Sequence, residues 1–242
     1  MRFLSKDHRV VLSIVLVWAS VPGVNGFGGT LQVKQSPEVI EAYRLCQTFE
    51  HLLGQDLDFD RAYEATFPQN KALRRAIAIA DGEFGNQDLA SVDDDLIINA
   101  YKRRMQIFYL TLVLAGPSDA ESAIFFPPEI KELLKREPPA DPKDFGAYVA
   151  QLDRDVARFR SHLDRLSTRY SSVADRVHQF KSDLLAPKPE PPKNQKVEPI
   201  TGYYRSGVLT TDQPYYQIGS YTVVKEQGKM RIIGIRFFTR MF

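Results

Sequence analysis

The side chains able to do chemistry are few in this 242-residue chain, and their spacing limits what they can do together. Cys46 is the only cysteine. It falls on a helical stripe with Val39, Ala42, Tyr43, Phe49 and Leu53, and no basic residue is placed to lower its pKa. It therefore reads as a small buried hydrophobe, not a reactive thiol. His51 stands beside Glu50, but two residues do not make a metal site, and both read as surface polar groups. Asp93, Asp94 and Asp95 are consecutive, and neighbouring side chains on a helix point about 100° apart, so they cannot converge on one ion. As the start of a helix they instead complement the positive end of its dipole. Arg74-Arg75 and Lys102-Arg103-Arg104 are tight basic groups inside helical patterns and read as solvated helix faces, not phosphate sites. No nucleophile motif, phosphate loop or metal-ligand set occurs, so no cofactor and no metal are expected. The chain reads as one that works by binding and not by catalysis.

These residues sit on elements that the hydrophobic periodicity places. The strongest signal runs from Phe145 to Leu184, where apolar residues recur at alternating intervals of four and three: Phe145, Val149, Leu152, Val156, Phe159, Leu163, Leu166, Tyr170, Val173, Val177, Phe180, Leu184. That is a heptad seam, and it predicts a single helix about 65 Å long at about 1.5 Å per residue, with Ser167, Thr168, Ser171 and Ser172 marking a place where it could kink. A second seam runs from Val92 to Leu114, broken only by Arg103. The flanking charges encode self-pairing of the long helix poorly, so antiparallel packing of the two seams in one chain is expected. Ser36-Pro37-Glu38 opens an earlier helix that Gly54 is expected to close, and short helices are expected over 58–67, over 70–81 and after Pro127.

The helical bundle should span 36–186, a Pro-rich linker 187–200, and strands 201–242. Three strands are expected, at 203–211, 215–226 and 229–242. A two-residue Gln227-Gly228 loop would pair Glu226 with Lys229, Val223 with Ile232, Tyr221 with Gly234 and Ile218 with Phe237. The fold class is thus α+β: a mainly α-helical bundle with a long heptad-patterned helix, plus a C-terminal three-stranded antiparallel sheet. Both faces of that sheet are apolar, so helices or a partner must cover at least one. Tyr203, Tyr204, Tyr215 and Tyr216, with Tyr221, are the candidate binding residues. They either form a recognition surface or line the seam between sheet and helices.

Residues 1–26 have the pattern of a secretory signal: Arg2, Lys6 and Arg9, then a short apolar core from Val10 to Trp18, then a small-residue end with cleavage near Gly26. Residues 27–35 are expected to be a flexible mature terminus. The apolar stretch is shorter than the roughly 20 residues that span a bilayer, so no membrane span is expected in the mature chain. The full chain carries a formal charge of +2, all of it in the signal, which leaves the mature chain near neutral and without the overall charge of a nucleic-acid binder. A single cysteine in an exported chain suits a bacterial periplasm, or an extracellular location after cleavage. The partners expected are an envelope protein, a cell-wall component or a second copy.

The stretch 221–235, YTVVKEQGKMRIIGI, resembles the last hairpin of the cone-shaped nuclear-transport-factor-like superfamily, which includes relatives of ketosteroid isomerase. Phe59-Asp60-Arg61-Ala62-Tyr63 resembles the short helix that follows the first helix there. The resemblance implies a pocket against a curved sheet, and with it an alternative: a small-ligand-binding protein or an enzyme doing acid or base chemistry with Asp60, Tyr63 or Tyr221.

Overall fold

The computed structural model describes residues 34–82, 84, 89–115, 118–187, 191, 196–201 and 213–235. The proposed signal, Tyr203, Tyr204, the strand expected at 203–211, Phe237 and half of the Pro-rich stretch lie outside them. The fold is α+β and mainly helical, with a C-terminal three-stranded antiparallel sheet.

Helix α1 (Pro37–Asp56) starts where Ser36 accepts the Val39 N–H at 3.2 Å and Pro37 supplies a preset φ. It does not end at Gly54. The helix continues through it, and Leu57 closes the end in the left-handed conformation, φ 53. Gly54 serves packing instead, since a Cβ there would meet Leu184 Cβ at 2.9 Å. Asp58 caps α2 (Phe59–Thr66), Asn70 caps α3 (Lys71–Asp81) and Asp93 caps α4 (Asp94–Val113), each by accepting a backbone N–H of the first turn. The acidic triplet is thus a helix start, as its spacing suggested. A reciprocal Ser118–Glu121 capping box opens α5 (Asp119–Phe125), and α6 (Pro128–Leu134) follows.

The long seam is two helices, α7 (Phe145–Arg169) and α8 (Ser171–Leu185), joined at Tyr170 in extended conformation, φ −127 and ψ 114. Ser167 and Thr168 bond back to the carbonyls of Leu163 and Asp164 at 2.9 Å, a competition that bends helices and weakens the last turn. The heptad phase survives because a one-residue break does not disturb the apolar spacing.

The two seams do meet, but in parallel and not antiparallel. Contacts advance together along both helices: Arg103 meets Asp153, Gln106 and Arg160 bond the same Leu57 carbonyl, and Ala115 O meets Arg176 beyond the break. The intervening stretch runs back against α7 and α8, bringing Glu121 to Arg176, the Phe125 carbonyl to His162, and Arg136 to Asp155. Apolar stripes specify that two helices pair; the length of the connection decides their direction.

The sheet has the order β1 (Tyr215–Ile218), β2 (Tyr221–Glu226), β3 (Lys229–Ile235). What the sequence suggested as one strand over 215–226 is itself a hairpin, turned at Gly219 with φ 56. The second turn has positive φ at both Gln227 (49) and Gly228 (82), the geometry that matches strand twist in a two-residue loop. Glu226 pairs with Lys229 and Val223 with Ile232, as expected. Beyond that a bulge inserts Ile233, so Thr222 faces Gly234 and Tyr221 faces Ile235; Ile218 pairs with Tyr221. Ile200, at the end of the linker, bridges Tyr215 on the outer edge of β1.

Helix α1 is the hub of the core. Phe49 is fully buried among the rings of Phe59, Phe67, Tyr109 and Tyr221 at 5.6–6.4 Å, and burial of each such side chain contributes about 1.5–3 kcal/mol. Strand alternation puts Tyr221, Val223 and Lys225 on one face, and the register adds Tyr216, Ile218, Met230 and Ile232. That face meets α1. Carboxylates fasten it: Glu38 accepts from Tyr216 and Lys225, Glu41 from the Met230 N–H, and Glu50 from Tyr221. From the sheet side, Glu226 accepts the N–H groups of Gln69 and Asn70 just ahead of α3.

Candidate functional site

Among the described residues an open cleft of about 390 Å³ lies where α2, α4 and α7 converge. Asp58, Asp60, Arg103, Gln106, Asp153, Val156, Ala157 and Arg160 line it. Arg103, the one charge that interrupted the α4 seam, bridges Asp60 and Asp153. Partial burial works against its cation, but the bonds to Asp153 and Asp60 outweigh that and hold its pKa above the ordinary arginine value. Gln106 donates to the Leu57 carbonyl at 2.7 Å and accepts the Phe59 N–H at 2.8 Å, while Arg160 donates to the same carbonyl at 3.0 Å. These two side chains close the joint between α1 and α2, whose backbone groups the helices leave unpaired. Asp58 is occupied as the cap of α2. The chemistry of the cleft is therefore mutual: its charges hold three helices together and each has a structural partner. One oxygen is an exception, since Asp60 Oδ1 is enclosed without a hydrogen-bond partner.

Of the residues put forward for acid or base chemistry, Asp60 lines this cleft and Tyr63 and Tyr221 do not. Tyr63 is fully buried and stacked on Phe67 at 4.3 Å, and burial pushes its phenol pKa up. Tyr221 donates to Glu50 at 2.9 Å, and burial followed by the Glu50 charge raises its pKa well above the ordinary value. Glu50 is 1% exposed, so it is not the surface group its place beside His51 suggested. His51 itself is at the surface, bonded to Gln55. Cys46 is 2% exposed with its pKa raised by burial and by Glu50, as its place on the stripe implied.

Tyr215, Tyr216 and Tyr221 are 8%, 5% and 5% exposed. Tyr216 and Tyr221 lie in the seam between the sheet and α1, bonded to Glu38 and Glu50; Tyr215 pairs with Val224 on the opposite face and is buried there. The basic groups are not solvated faces. Arg74 and Lys102 both bond Glu64, with only 13% and 12% of their side chains exposed, Arg75 bonds Asp94 at 2.5 Å, and Arg104 reaches Tyr148. They cross-link helices. Asp153, Gln106 and Arg160 went unnoticed as site residues in the sequence. The available signal was a charge on an apolar seam, Arg103, facing an acid beside the other seam, Asp153.

No family model matches the chain, and no curated protein or solved structure does. Phe59–Tyr63 does lie in a short helix after the first, as the cone-superfamily resemblance implied. Where that resemblance implied a pocket against the sheet, α1 packs there, with Phe49, Val223 and Ile232 each fully buried. No group of three His, Cys, Asp or Glu among the described residues is arranged to hold a metal ion.

Proposed function

We propose that this chain is an exported, non-catalytic binding or scaffold module of the bacterial cell envelope. The observation that carries the reading is the use made of its ionisable groups. Glu38, Glu41, Glu50 and Glu226 fasten the sheet, and Asp58, Asp60, Asp153, Arg103 and Arg160 fasten three helices. A general acid or base must reach substrate, and groups engaged in this way are poorly placed to do so. The pattern of residues 1–26 supports export.

Two measurements on the full chain in a bacterial host test this. Fractionation with N-terminal sequencing should find the chain outside the cytoplasm and starting near Phe27; a cytoplasmic, unprocessed chain defeats export. Titration of the purified protein with an apolar fluorescent probe such as a naphthalene sulfonate tests the alternative of a cone-fold pocket. The filled interface between α1 and the sheet should give no saturable binding, and one-to-one binding abolished by Tyr221→Phe would establish the pocket.

A further inference from the structure

The outer face of α7 carries a feature that nothing in the core explains. Arg154, Arg158, Arg165 and Arg169 are all exposed, and at 3.6 residues per turn they fall within about 60° of arc. They form a row about 22 Å long at about 1.5 Å per residue. Arg158 and Arg165 have no ion-pair partner among the described residues. Arg154 bonds only Gln151 on its own helix, and Arg169 lies over the Tyr170 ring at 5.5 Å. Between and beside them are Ala150 and Ser161, exposed and small. In a mature chain near neutral overall, this is a concentrated cationic strip on one helix.

We propose that the α7 arginine row is a docking face for an anionic lipid surface. Small side chains between the guanidinium groups let all four arginines reach a flat plane at once. Arginine also suits phosphate, because its planar fork can bond two oxygens together. The row's own residues include no exposed aromatic side chain on which bases could stack, as single-stranded nucleic-acid binders use; the ring beside it, Tyr170, is half-buried under Arg169. It has no exposed large apolar residue to insert either, so attachment is electrostatic, reversible and salt-sensitive. The choice of lipid rests on the reading of the chain as an envelope module, but the binding itself can be measured without it.

The test is co-sedimentation of the purified chain with vesicles of equal parts phosphatidylglycerol and phosphatidylcholine, against vesicles of phosphatidylcholine alone. At low salt the chain should pellet with the anionic vesicles only, and NaCl at about 0.5 M should release it. Each arginine near an anionic surface strengthens partitioning about five-fold, so R158E/R165E should bind at least roughly 25-fold more weakly. Its thermal midpoint should match the parent, because neither residue has a partner to lose. R158K/R165K should restore most of the binding, and R158Q/R165Q serves if charge reversal impairs folding. Equal pelleting with both vesicle types, or anionic binding that the double variant leaves intact, would overturn the proposal. So would a tighter complex with polyuridylate than with the anionic vesicles, which would assign the row to nucleic acid. A chain found in the cytoplasm would defeat the export reading and leave the vesicle result standing.

Discussion

At the scale of single residues, burial decides which partner of a bond matters more. Asp155 is completely buried and takes bonds from Arg136 and Gln151, while about a third of the Arg136 side chain is exposed. Arg136→Ala leaves a carboxylate enclosed without its cation and should cost about 3–5 kcal/mol in chemical denaturation. Asp155→Asn keeps the acceptor, and its orphaned guanidinium can turn to water, so it should cost clearly less. Equal losses would mean that the charge of Asp155 is not what the site holds. The same logic applies to Tyr221→Phe, which removes a donor from the buried Glu50 carboxylate and should cost about 1–3 kcal/mol with no change in secondary structure by circular dichroism.

At the scale of elements, two glycines in helices should respond to alanine with opposite signs. Gly54 lies where α1 touches α8, and an added Cβ would come within 2.9 Å of Leu184 Cβ, an atom fixed to the backbone. Gly54→Ala must push the helices apart and should lose about 1–3 kcal/mol despite the better helix former. Gly146, at the start of α7, has nothing within 4 Å of an added Cβ, so Gly146→Ala should gain up to about 1 kcal/mol. Thermal midpoints of the two variants decide the matter. How far such elements were legible in the sequence depended on the kind of signal. The helix starts at Ser36 and at the Asp93 triplet were readable because a cap is local chemistry between residues two or three apart. Ser167, Thr168, Ser171 and Ser172 marked the place of the break at Tyr170, but that it ends the helix was not legible, because the apolar phase is blind to a single extended residue. Nor was the parallel sense of α4 and α7, which depends on the returning path of α5 and α6. The cleft was half legible: Arg103 announced a charge inside a seam, but that Gln106 and Arg160 would close the joint after Leu57 is a matter of three-dimensional packing.

At the scale of the whole molecule, the ionisable groups bound the pH range in which the fold holds. Tyr216 is pushed up to about 12 by burial and by its bond to Glu38, and Tyr221 is raised further by burial and Glu50. Raised tyrosines contribute stability that is fully present below about pH 10, the unfolded value, and is lost as the pH climbs towards the folded values. Glu38 is held low by Lys225 and Tyr216. Glu121 is held low by the Ser118 backbone and hydroxyl, and Glu64 is lowered because Lys102 and Arg74 outweigh its desolvation. Depressed carboxyls contribute stability present above the unfolded value of about 4.3 and lost as the pH falls through the folded ones. The thermal midpoint should therefore be nearly flat between about pH 5 and 9 and fall on both sides. A midpoint that rises steadily from pH 9 to 11 would contradict the placement of Tyr216 and Tyr221 in the seam.

The docking of the sheet on α1 has a consequence for how the protein is made. Lys225 lies 187 residues after its partner Glu38, and Met230 lies 189 after Glu41. At about 5–20 residues per second, a ribosome has released the first helix roughly 10–40 seconds before the strands that cover it exist. Throughout that interval the side of α1 that carries Glu38, Glu41 and Glu50 lacks the strands it is bonded to, and Phe49 lacks the Tyr221 ring. Completion of the core waits for the last element made. The polypeptide thus leaves the ribosome in a form suited to being held open by a chaperone.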